Sequence, residues 1–344
     1  MCGMKEFRHF RHFLLAVAAL AAAVASAQST DVAGARYAAA AYPGFELNDA
    51  NLKPERKEPR WFSWFTGPSR PNAAGQFAYC QDLLKAEDWS KAARQLDALV
   101  REWPTAPEAW RAQRQLADVQ YEKLGDTEDA FESYRYLLDF YSLQCDYRAT
   151  ADRLYELAGA LKLEGKEVMF VRFANTAGVR RFYEACVLRA PGADWVPAAM
   201  LTIASLRVEE GCPEEAVKVY ENLRSIHPAS AEARKSLLPE ANARMDILRE
   251  RSYNRARCLD TVNYLKMALR LCDPDDAAAV QACLEEADGM LAEEAYVAAK
   301  FYDSRMRTRE SAVGAYEAFL ADHPKGVRAD EVRARLAELK GQQQ

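Results

Sequence analysis

The sequence predicts an all-α fold, a solenoid of about five to six stacked helix hairpins, preceded by an export signal and an extended arm. Three observations carry this. Alanine makes up about 18% of the 344 residues, while isoleucine occurs three times and threonine nine. Helices favour alanine and straight chains, and strands favour β-branched residues. A spaced pattern of small, large and apolar residues then recurs along the chain, and a proline closes most copies. The net charge of −5 and pI near 5.6 argue against a nucleic-acid binder.

The elements follow in order. Lys5, Arg8 and Arg11 form a basic start, and Phe13 to Val24 is an apolar run of 12 residues. Ala25-Ser26-Ala27 is a small-x-small cleavage site, so residues 1–27 are expected to be a secretory signal peptide and the protein to be periplasmic. The run is short of the roughly 20 apolar residues that span a bilayer. Cys2 precedes it and Gln28 follows the cleavage site, so no cysteine stands where a lipid would be attached. Residues 28–75 are rich in proline and read as an extended arm. In it the charged stretch Lys53 to Arg60 precedes Trp61, Phe62, Trp64 and Phe65. Four aromatics in five positions need a partner. They cap the first repeat or lie in the solenoid groove, or else they dock on a partner protein or the outer-membrane surface.

Residues 76–341 carry the repeat. A small residue is followed four positions on by a large one, three further on by an apolar one, and five further on by proline. Ala92-Leu96-Leu99-Pro104, Val179-Tyr183-Cys186-Pro191, Ala216-Tyr220-Leu223-Pro228 and Ala312-Tyr316-Phe319-Pro324 fit. Ala130-Tyr134-Leu137 lacks the proline, and Val262-Lys266-Leu269-Pro274 reads as a degenerate copy. Positions 0, +4 and +7 share one helix face. The small residue lets a partner helix cross closely, the larger two fill the groove, and proline ends the helix. Turns at Glu87 to Ser90, Gly125 to Thr127 and Gly211 to Pro213 separate each copy from an upstream amphipathic stretch. Successive copies stand 38, 49, 37, 46 and 50 residues apart, so the wider gaps require longer helices or insertions, with Leu163 to Gly178 as one candidate.

These residues resemble the tetratricopeptide repeat, a helix hairpin closed by proline with a period of 34 residues. Leu291 to Tyr302, Ala312 to Leu320 and Asp322-His323-Pro324 are also similar to the last repeat of the BamD-like family, and Trp89 to Pro104 is similar to its first. That family consists of periplasmic repeat proteins of the outer-membrane barrel-assembly machinery. The resemblance implies protein or peptide partners in the solenoid groove, barrel-assembly subunits among them.

No catalytic, cofactor-binding or metal-binding set emerges. His227 and His323 each precede a closing proline, which points to a turn role. Gly159 to Lys166 has five residues between its glycines and Glu167 where a phosphate loop needs a hydroxyl. The pairs Glu214-Glu215, Glu285-Glu286 and Glu293-Glu294 fit helix starts and solvated faces. Seven cysteines follow the signal, widely spaced and odd in number, and read as small buried residues, with a Cys272–Cys283 bridge as an alternative. The expected function is a non-enzymatic scaffold. An exported adaptor outside barrel assembly, or an accessory domain of an envelope-polymer enzyme, are the alternatives.

Overall fold

A computed structural model describes residues 42–45, 56–57, 67–167, 176–250, 254–305 and 309–341. Residues 1–27 and the aromatics Trp61, Phe62, Trp64 and Phe65 lie outside the described residues. All regular structure among the described residues is helical, and the chain divides into two compact units, residues 1–206 and 207–344.

In the first unit, α1 (Ala73–Lys85) starts where Asn72 accepts a hydrogen bond from the Gly75 amide at 2.7 Å. A left-handed Glu87 (φ 58°) turns the chain into α2 (Trp89–Glu102), whose N-cap Asp88 accepts from the Lys91 amide. The turn expected over Glu87 to Ser90 is therefore shorter, because Trp89 and Ser90 already belong to α2. Then come α3 (Ala109–Val119), a π-helical turn (Gln120–Leu124) ended by left-handed Gly125, and α4 (Thr127–Tyr141). The long α5 (Tyr147–Glu167) accounts for the 49-residue gap, and it absorbs Gly159 to Lys166 as ordinary helix. Of the candidate insertion, Leu163 to Glu167 falls in α5, residues 168–175 are outside the described residues, and α6 (Thr176–Arg189) begins at residue 176. Next is α7 (Val196–Glu209).

The second unit continues with α8 (Pro213–Ile226), α9 (Ala231–Lys235), α10 (Leu237–Glu250), α11 (Arg255–Leu271), α12 (Ala277–Arg305), α13 (Arg309–Asp322) and α14 (Ala329–Gly341). Gly211 (φ 74°) and Pro213 at the first helical position open α8. The 29-residue α12 explains the 50-residue gap. Its first half, through Leu291, completes a core with α10 and α11, and its second half, from Ala292, completes another with α13 and α14.

Within both units helices pack mainly on their sequence neighbours. Ala92, Ala130, Ala216 and Ala312, with Val179, are buried. So are Leu96, Leu99, Tyr134, Leu137, Tyr183, Cys186, Tyr220, Leu223, Tyr316 and Phe319. Each closing proline stands two residues past its helix, and the residue between bonds back to the +7 carbonyl. These bonds run Trp103 to Leu99, Ala190 to Cys186, His227 to Leu223 and His323 to Phe319, at 2.8–3.0 Å. The same bond in α11 runs from Cys272 to Ala268, which corrects the degenerate copy. Its packing register is Thr261, Leu265 and Ala268, all buried, whereas Lys266 is exposed. The reading from Val262 was one residue late, because Pro274 follows its helix by one extra residue.

Candidate partner-binding grooves

In the first unit α2, α3 and α4 frame a groove of about 630 Å³. Asp97 stands on α2, where the α2 face turned from the core carries Ser90, Arg94 and Arg101. Gln113 is fully buried on α3, and its amide donates to the Ser133 carbonyl at 2.8 Å, which fixes its oxygen in place. Tyr136 and Phe140 come from α4.

A side chain from the arm enters this groove. Lys57 donates to Asp97 Oδ1 at 2.7 Å and to Gln113 Oε1 at 3.2 Å, with its ammonium 5.2 Å from the Tyr136 ring centre. The Arg56 guanidinium lies 4.9 Å from the Phe140 ring centre. The other Asp97 oxygen accepts from Arg101 at 2.6 Å. Burial pushes the Lys57 pKa down and outweighs the opposing pull of Asp97. Burial also pushes Asp97 up, but the two cations beside it win, and its carboxyl ends below its ordinary value. The two groups form a desolvated pair held by further hydrogen bonds. Tyr136 is raised by burial, which the Lys57 backbone N–H opposes.

Both described ends of the stretch around the aromatic patch are fixed on α2: Lys57 on Asp97, and the Ser69 amide on Gln95 Oε1 at 3.0 Å.

The groove wall also carries further charged residues. Arg135 pairs with Glu132, and Arg189 forks onto Asp139 at 2.7 and 2.9 Å. Asp126 and Asp129 are exposed and have no ion pair among the described residues. The Gln120 side-chain oxygen is buried without a donor among the described residues.

In the second unit a smaller cavity of about 340 Å³ lies among α12, α13 and α14. Its polar groups satisfy one another. Tyr296 donates to Glu331, Tyr316 donates to Asp303 at 3.1 Å, and Arg335 holds both Asp303 oxygens at 2.8 and 3.1 Å. The Arg335 contacts hold the Asp303 carboxyl below its ordinary value.

The other sequence candidates take structural places. Pro104 is half-buried, and Pro191, Pro228 and Pro324 are exposed at their corners. The His227 carbonyl accepts from the Ser230 amide, and the His323 ring packs 5.6 Å from Phe319. Glu214 and Glu215 open α8, while Glu286, Glu293 and Glu294 pair with Arg249, Arg328 and Arg255. The seven cysteines are unpaired, Cys272 and Cys283 included, and Cys80, Cys186, Cys258 and Cys283 are buried. Among the described residues no three His, Cys, Asp or Glu side chains converge on a metal-sized site, and no helix is long and apolar enough to cross a membrane.

Residues 81–144 match the tetratricopeptide repeat family. This stretch runs from α1 through α4 and includes the groove. No curated protein sequence matches the chain. Among solved structures, one similar chain is the TPR2AB-domain:pHSP90 complex of yeast Sti1. It is 15% identical, covers 63% of this chain and 86% of that one, and has a TM-score of 0.28. Another is a tetratricopeptide repeat protein from Parabacteroides merdae, 13% identical, covering 78% of this chain and 98% of that one, with a TM-score of 0.27.

Proposed function

We propose that the protein is a non-catalytic, periplasmic scaffold that binds a protein or peptide partner through the groove between α2 and α4. The observation that carries this reading is the groove itself, an open, charged channel on paired helices that already seats one non-helical segment of polypeptide. Tetratricopeptide-type repeats in the same residues support it, because stacked helix pairs create extended binding surfaces. The corner positions of both described histidines support a role without general-base chemistry. The BamD-like features of the first and last repeats, and the signal-like first 27 residues, favour outer-membrane protein assembly as the process served, with peripheral association at that membrane. An exported adaptor outside barrel assembly shares every feature except that resemblance.

Affinity capture from cross-linked envelope fractions tests the proposal. The full chain is expected to recover barrel-assembly subunits, and the Asp126→Lys/Asp129→Lys variant to lose at least tenfold of them. Recovery of division or secretion proteins instead would sink the barrel-assembly assignment. Absence of any partner sensitive to the groove substitutions would sink the scaffold itself.

A further inference from the structure

The lysine position in the groove is built independently of the lysine. Ser133 orients the Gln113 amide, Arg101 holds the far oxygen of Asp97, and Tyr136 is set by the packing of α4. What remains is one carboxylate oxygen, one amide oxygen and one aromatic face, pointed at a single spot. Three acceptors of that kind suit an ammonium group. The group filling them comes from a segment outside any helix, 40 residues upstream of Asp97.

The groove also offers more than Arg56 and Lys57 use. With Lys57 in its wall, about 630 Å³ stays open. Facing that space are the Asp126 and Asp129 carboxylates, which form no ion pair among the described residues, and the Gln120 oxygen, buried with no donor among the described residues. Among the described residues, the one hydrogen bond of the Arg94 side chain goes to its own helix, to the Ser90 carbonyl. The lysine position and the two carboxylates without an ion pair lie along the same groove, so an occupant with adjacent basic side chains meets both.

We propose that the Arg56-Lys57 step is a resident ligand of this groove, and that the partner is an extended segment with adjacent basic residues that takes the lysine position from the arm. The proposal rests on the scaffold reading and specifies its occupant. Because the arm is covalently attached, it competes at an effective concentration in the millimolar range, so the partner meets a lysine position filled most of the time. Weakening the arm then strengthens binding from outside.

The probe is a dye-labelled peptide with the sequence of residues 51–60, titrated by fluorescence anisotropy against the full chain at low salt. The Lys57→Ala protein is expected to bind it at least about tenfold more tightly than the unaltered protein. A peptide with alanines in place of Arg56 and Lys57 is expected to bind neither. Asp97→Asn, placed in the Lys57→Ala protein, is expected to remove at least tenfold of the gain. Arg56 is exposed and its loss leaves the core intact, so Arg56→Ala should move affinity the same way, by about threefold, even if Lys57→Ala folds poorly. Equal affinity for the unaltered and arm-weakened proteins overturns the proposal, as does indifference to the basic pair or no binding to any folded variant. In the capture experiment, a partner recovered equally with and without Lys57→Ala overturns resident-ligand control and leaves the scaffold reading standing.

Discussion

Buried charge separates residues that hold the fold from residues that only decorate it. Glu240 is fully buried on α10 and accepts from both Arg224 and Arg244. Arg244 also reaches Glu221 and Asp260 and stacks 4.5 Å from the Tyr264 ring centre. Removing one member of such a cluster strands the others in a poorly hydrated place. Glu240→Ala is expected to lower unfolding free energy by about 3 kcal/mol, measured by urea denaturation. Asp260→Ala, at an exposed partner of the same arginine, should cost less than about 1 kcal/mol. Similar losses would show that burial does not set the scale. None of this was legible in the sequence, since Glu240 and Arg244 sit four apart like any surface pair. The same holds for the arm. Lys57 reads as local positive charge beside the aromatics, and no spacing rule connects it to a carboxylate 40 residues on. Cys80 and Cys186 were legible, because each falls on a packing face, and burial pushes the Cys80 thiol up to about 12.

At the scale of the element, the helix ends are set by a few backbone conformations. Gly211 is left-handed at φ 74°, with nothing within 4 Å of where a side chain would begin. Substitution there meets no steric obstacle, so any cost is purely conformational. Gly211→Ala is expected to destabilise by about 1 kcal/mol, whereas Gly192→Ala, also in open space but without a left-handed backbone, should be neutral within about 0.5 kcal/mol. Thermal unfolding of the pair checks this, and equal shifts would refute it. Helix existence and the positions of the corners could be read from spacing, because proline and glycine act within a residue or two of themselves. Helix length could not. The gaps around α5 and α12 showed only that something longer was present. Whether it was an insertion or extra turns depends on packing between distant residues. In α11 one additional residue before Pro274 displaced the apparent register from Thr261 to Val262.

At the scale of the whole molecule, packing is local within each unit. There helices pack mainly on their sequence neighbours, and repeats of this kind behave as nearest-neighbour arrays. Leu137→Ala removes fully buried volume from α4, at a cost of roughly 2–5 kcal/mol. Hydrogen exchange should accelerate in α3, α4 and α5 and stay unchanged in α13 and α14. Uniform acceleration along the chain would mean that the array unfolds as one. The closing corners carry a further consequence. Five of them share one backbone hydrogen bond, yet the helices between them range from 5 to 29 residues. For the gene, the joints are fixed and the beams are free. An in-frame gain of three or four codons adds about one turn and leaves each packing face in phase, whereas a single codon rotates everything downstream of it by about 100° until the next corner. Lineages of such chains should therefore grow by whole turns, and α12 has the length such growth would leave.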